Sequence, residues 1–100
     1  MKDEMTVDEL QQWRESGHPH MLLDVREPFE NASARIEGSV LMPMGTVMGQ
    51  LDALPKDRPV VVHCQSGGRS ARVTAALRQK GYDALNLVGG IQAWRMAGLK

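Results

Sequence analysis

Apolar positions along the chain switch between helical spacing and short unbroken runs. Val7, Leu10 and Trp13 recur at helical spacing, and Thr6-Val7-Asp8-Glu9 has the form of a capping box. Gly17 and Pro19 end that helix. Met21-Leu22-Leu23, stopping at Asp24, is an apolar run of strand length. Pro28 through Ala32 predicts a helical turn with proline at its first position. Val40-Leu41-Met42 predicts a second strand, ended by Pro43, and Val47, Gln50, Leu51 and Leu54 predict a helix before Pro55. Val60-Val61-Val62-His63 is the strongest strand signal. Three β-branched residues without polar alternation imply burial on both faces of a parallel sheet. Ala71 to Lys80 carries Val73, Ala76, Leu77 and Lys80 on one helical face, and Gly81 stops it. Leu85 to Val88 is a further strand, Gly89-Gly90 a turn, and Ile91 to Ala97 a final helix.

Strands and helices therefore alternate. That pattern predicts an α/β fold of three layers, with helices on both faces of a central, mostly parallel sheet. In such sheets ligands bind beyond the carboxyl ends of the strands. A chain of 100 residues has the length of one domain, over residues 1–100, and shows no linker or repeat that would divide it. Twelve Lys and Arg balance twelve Asp and Glu, which argues against partners that demand a net basic surface, nucleic acid and anionic membrane alike. No apolar stretch follows Met1-Lys2-Asp3-Glu4-Met5, and no run approaches a bilayer span. With a single cysteine, Cys64, there is no internal disulfide, and the expected compartment is a reducing cytoplasm.

Cys64 stands at the carboxyl end of the strongest strand, followed by Gln65-Ser66-Gly67-Gly68-Arg69-Ser70 and a helix. A cysteine is a nucleophile only as thiolate. The helix beginning near Ser70 turns unpaired amides and its positive end toward the loop. The small residues allow successive amides to curl into an anion-binding nest, and Arg69 adds a fixed charge. The plain alternatives are a buried small hydrophobe for Cys64 and ordinary turn chemistry for Gly67-Gly68. His63 is expected to start toward the opposite face from Cys64 and to pack rather than act as a base. His18-Pro19-His20 lacks a second pair of ligands and reads as a surface turn, so neither a metal nor a cofactor is expected. Met42, Met44 and Met48 are expected to fill core gaps, and Trp13 and Trp94 to pack helices.

Three segments carry a resemblance. VVVHCQSGGRS over Val60–Ser70 resembles the active-site strand and loop of the rhodanese (sulfurtransferase) family. MLLDVREPFE over Met21–Glu30 and GYDALNLVGGIQAW over Gly81–Trp94 are similar to two further family segments in the same order, so that the likeness covers about residues 6–99. The resemblance implies a single rhodanese domain that moves sulfane sulfur from thiosulfate or a persulfide donor to a thiol or cyanide through a persulfide on Cys64. It implies that Gln65, Ser66, Gly67, Gly68, Arg69 and Ser70 cradle the sulfur and the donor's anionic group. Asp24 and Arg26 end a neighbouring strand and are expected to support the loop by ion pairing. It implies a small anionic donor and a thiol or persulfide acceptor, a protein among the options. One departure is Ala34-Arg35-Ile36-Glu37-Gly38-Ser39, where the family often has Gly-His-Ile-Pro-Gly-Ala. Arg35 in place of the histidine is either an added charge at the pocket mouth or an exposed surface side chain. Two rival classes share the cradle: a cysteine phosphatase or arsenate reductase, and a non-catalytic binding module. Four residues separate Cys64 from Arg69, one fewer than in related phosphatases, which fits sulfur better than tetrahedral phosphate.

Overall fold

The computed structural model describes residues 2–100; Met1, with which the reading of the chain's start begins, lies outside the described residues. Five parallel strands form one sheet in the order β1-β5-β4-β2-β3, with β1 Glu4–Met5, β2 Met21–Asp24, β3 Val40–Leu41, β4 Val60–His63 and β5 Ala84–Leu87. The helices are α1 Val7–Ser16, α2 Pro28–Ser33, α3 Gly68–Gln79 and α4 Gly90–Met96. The α/β architecture expected from the alternation is the one observed.

The uninterrupted valines of β4 are explained by the two cores that the sheet separates. Val60 and Val62 pack with Leu23, Val73, Leu77 and Tyr82 on one face, while Val61 packs with Leu10, Leu22, Ile91 and Trp94 on the other. All three valines are fully buried. A central parallel strand has no solvent side, so polar alternation has no place there. Cys64 belongs to the first core.

Local signals set most boundaries. Both capping-box bonds at Thr6 form: the Glu9 amide donates to Thr6 Oγ1 at 3.2 Å and the Thr6 amide donates to Glu9 Oε1 at 2.9 Å. Three elements differ from the sequence reading. Strand β1 has no local signal, since two residues carry no period; pairing with Asn86 and Leu87 alone makes it a strand. Met44–Ala53 is a 3-10 segment rather than an α-helix, and Gln50 leaves helical geometry within it. Gly45 and Gly49 weaken an α-helix there, and only Val47 of the segment is buried. Helix α3 begins at Gly68, three residues before the apolar periodicity starts, because Gly67 makes the turn.

Leu77 is fully buried between α3 and the sheet. Leu77→Ala is expected to lower the unfolding free energy by about 2–5 kcal/mol, read as a fall in urea midpoint at unchanged slope.

Candidate active site

The site begins where β4 ends. Cys64 is 1 % exposed, yet its sulfur is surrounded by donors rather than by carbon alone. The Gly67 amide lies 3.1 Å from Sγ, the Ser70 amide 3.4 Å and the Ser70 hydroxyl 3.3 Å. Burial pushes the Cys64 thiol up. Hydrogen bonds from the Ser70 hydroxyl and from the amides of Ser70, Gly67 and Ser66 outweigh it, leaving the thiol below its ordinary pKa.

Two glycines make this geometry possible. Gly67 has φ 113°, a left-handed conformation that turns the chain from the loop into α3 and aims its amide at the sulfur. Gly90 is the point of closest approach. A Cβ there would stand 2.5 Å from the Cys64 carbonyl oxygen and 2.6 Å from that of Gln65. Its absence lets the first turn of α4 close on the loop: the Ile91 amide donates to the Cys64 carbonyl at 2.9 Å and the Gln92 amide to the Gln65 carbonyl at 3.0 Å. The carbonyls of Cys64 and Gln65 are thereby directed to α4, while the amides of Gly67 and Ser70 reach the sulfur. Gly68 is different. It has ordinary helical φ and open space where a Cβ would go.

Charged residues form a brace in three links. Asp24 and Arg26, both buried, pair at 2.9 Å, and Asn31 also donates to Asp24 at 2.9 Å. Arg26 then donates to the Glu30 and Ala34 carbonyls, at 3.4 and 2.6 Å, fixing α2. Glu30 of α2 takes two bonds from Arg69 of α3, at 2.7 and 2.8 Å. The expected direct bracing of the loop by Asp24 and Arg26 is therefore corrected. Their ion pair is with each other, and Arg26 spends four of its N–H groups on Asp24 and α2, so the loop is reached through Glu30 and Arg69. Arg69 lowers the Glu30 carboxyl to about 2, and Glu30 raises the Arg69 pKa. Burial pushes the Asp24 carboxyl up, but Arg26 and Asn31 hold it below the usual carboxylate value.

The remaining candidates fall as follows. Gln65 is exposed and borders a shallow depression with Arg26, Phe29, Glu30, Ser33, Ala34 and Arg95. Ser66 is exposed beside it. Arg35 is exposed and lines a cleft with Glu37, Trp94 and Lys100 that abuts the depression at Gln65 through Ala34 and Arg95; Arg35 itself does not line that depression. His63 is fully buried; its Nδ1 faces the Cys64 carbonyl at 3.2 Å, and Nε2 stands 4.0 Å from Asp24 without a hydrogen bond. Burial lowers its pKa, which keeps it neutral near pH 7. His18 stacks on Trp13 at 4.1 Å between ring centroids. Of the methionines, Met42 is buried, Met44 packs against the core and Met48 is exposed. Sequence reasoning missed Glu30, Asn86 and Gly90. Asn86 could have been noticed as a lone polar side chain in the buried strand Ala84–Leu87.

A parallel α/β domain with a hydrogen-bonded thiol at the carboxyl end of its central strand defines the class: a cysteine-loop domain suited to anion or sulfur chemistry. The family model described as rhodanese-like domain matches residues 6–97, and the chain belongs to that family. It is 39% identical over 100 residues to a protein named sulfurtransferase from Allochromatium vinosum, covering 99% of this chain and 94% of that one. It is 42% identical over 93 residues to the probable adenylyltransferase/sulfurtransferase MoeZ of Mycobacterium tuberculosis, covering 90% of this chain. There the chain spans only 24% of the relative's length. Among solved structures, a rhodanese-like domain protein from Staphylococcus aureus superposes with TM-score 0.88 at 36% identity, over 94% of this chain and 91% of that one.

Two outcomes follow from this geometry. Gly90→Ala is expected to force the loop and α4 apart and to slow iodoacetamide capture of Cys64 at neutral pH. Gly68→Ala should leave both stability and capture rate near those of the parent. Equal behaviour of the two variants would contradict the close-approach role. For the Glu30–Arg69 bond, the folded carboxyl titrates near 2, below its unfolded value of 4.5. Its contribution to stability is thus present above that unfolded value and is lost as pH falls toward 2. Glu30→Gln should flatten that part of the stability–pH curve in chemical denaturation.

Proposed function

We propose that this chain is a sulfurtransferase of the rhodanese type, moving sulfane sulfur through a persulfide on Cys64. The single observation that carries this reading is the sulfur of Cys64 seated among two amides and a hydroxyl. The names of the relatives support sulfur transfer in general. In the first step the Cys64 thiolate attacks the outer sulfur of thiosulfate. The sulfur–sulfur bond of the donor breaks, and sulfite leaves with the electron pair. In the second step a thiolate or cyanide attacks the outer sulfur of the persulfide, and Cys64 departs as thiolate.

The loop supplies what each step requires. The Gly67 and Ser70 donors favour the attacking anion, and Ser66 contributes beside them. Gly68 and Arg69 open the first turn of α3, whose amides have no acceptor within the helix and suit the outer sulfur. Gln65 marks the mouth, where Phe29 is 74 % exposed and Arg95 brings a cation. That rim suits a small anionic donor and an acceptor thiol, including one carried on a protein. Asp24 and Arg26 act by holding α2, and Arg35 contributes surface charge in the neighbouring cleft.

The engagement of Arg69 disfavours a phosphatase. That chemistry needs the arginine of the loop turned onto an oxyanion, and here both of its terminal nitrogens bind Glu30. The intact cysteine and its donor set favour catalysis over a binding-only module.

Incubation with thiosulfate should add the mass of one sulfur atom to the intact protein. The adduct should be absent from Cys64→Ala and should disappear on addition of cyanide or a thiol. Failure of the unmutated chain to gain it, or equal gain by Cys64→Ala, would overturn the mechanism. Hydrolysis of a phosphate monoester that depends on Cys64 would favour the phosphatase instead. The rate of alkylation against pH should show a midpoint below about 8.5, the free-cysteine value.

A further inference from the structure

Ser70 has one hydroxyl hydrogen and three acceptors within reach. Asn86 Oδ1 lies 2.6 Å from its Oγ, the Gly67 carbonyl 3.2 Å and Cys64 Sγ 3.3 Å. The hydroxyl can donate to only one of them at a time. Asn86 comes from β5, is 8 % exposed, and is the one polar side chain in that strand. Its orientation is decided by its second contact. Nδ2 donates to the Gly67 carbonyl at 3.4 Å, so a flipped amide would set two carbonyl oxygens against each other. Oδ1 therefore faces Ser70 as an acceptor.

Building on the reading of Cys64 as nucleophile, we propose that Asn86 is a positioning residue that holds the Ser70 hydroxyl hydrogen away from Cys64 until the sulfur carries negative charge. While Cys64 is a thiol, the short bond to Asn86 takes the hydrogen, and the lone pairs of Ser70 Oγ face the sulfur. When Cys64 becomes a thiolate, a bond to a full charge is stronger than one to a neutral amide, and the hydroxyl rotates to Sγ. The hydrogen stays on Oγ throughout; only its direction changes. Asn86 Oδ1 then loses its donor in a buried place, which opposes ionisation. The residue thus moderates the acidity that the loop confers. A less acidic thiol gives a more nucleophilic thiolate, because nucleophilicity falls as pKa falls. Once a persulfide forms, Sγ is no longer the charged atom and the hydrogen is free to return to Asn86.

The charged and titratable side chains around Cys64 are Arg69 of α3, Glu30 of α2, His63 of β4, Asp24 at the end of β2, Arg26 just after it, and Arg95 of α4 beside Gln65. Among the described residues none of these side chains hydrogen-bonds to Ser70 Oγ or to the Asn86 amide.

The test is the pH dependence of iodoacetamide alkylation in a double-mutant cycle. Asn86→Leu, which keeps the shape and removes the acceptor, should lower the alkylation midpoint by up to about one pH unit. In a Ser70→Ala background the same substitution should not lower it. An unchanged or raised midpoint with Ser70 present, or an equal fall without it, would overturn the proposal. Should Asn86→Leu fail to fold, the unmutated chain provides the second reading. The side-chain carbonyl carbon of Asn86 should shift in the NMR spectrum with the midpoint of Cys64, and that movement should vanish in Ser70→Ala. A carbonyl carbon that stays still, or moves equally without Ser70, counts against the relay. Neither measurement uses a sulfur donor, so failure of the relay and failure of sulfur transfer are told apart by the thiosulfate mass experiment.

Discussion

The close contact between the Cys64 loop and the first turn of α4 is the constraint on which the site depends. Peptide carbonyls and amides leaving a strand end must both be satisfied or directed to solvent. Here the carbonyls of Cys64 and Gln65 are bound by the amides of Ile91 and Gln92. That pairing is reachable because residue 90 has no side chain. With these two carbonyls occupied by α4, the amides of Gly67 and Ser70 turn to the sulfur. The lowered pKa of Cys64 rests on those amides and on the Ser70 hydroxyl, and the turn at Gly67 then starts α3.

The electrostatics are local rather than global. Positive and negative residues balance across the chain, so its net charge favours neither sign of ligand. What the site itself presents is amides oriented at the sulfur at short range. The one arginine of the loop is held by Glu30, and the buried Asp24–Arg26 pair works one step further back as the anchor of α2. An arginine bound in this way holds the start of α3 to α2, and the donors to the sulfur are neutral groups of Gly67 and Ser70. That arrangement suits a polarisable sulfur atom better than a phosphate bearing two charges. A second layer lies behind the sulfur, where Ser70 and Asn86 connect α3 to β5 through a single hydrogen.

The sequence by itself determined the alternation of strands and helices, because each signal is local: a capping box at Thr6, a run of valines at Val60, a glycine after Lys80. It also singled out the candidate site, since Cys64 falls between a buried strand and a glycine-rich turn that opens a helix. It could not distinguish Gly67 from Gly68, because the difference lies in backbone dihedral and in what a Cβ would meet. Only the tertiary structure decided that Glu30 rather than Asp24 holds Arg69, that Gly90 admits α4 to the loop, and that Asn86 stands behind Ser70. These partners lie 39, 26 and 16 residues apart along the chain, Glu30 to Arg69, Cys64 to Gly90 and Ser70 to Asn86. No periodicity or local pattern relates residues so far apart; the parallel sheet does, by bringing the ends of β2, β4 and β5 to one edge.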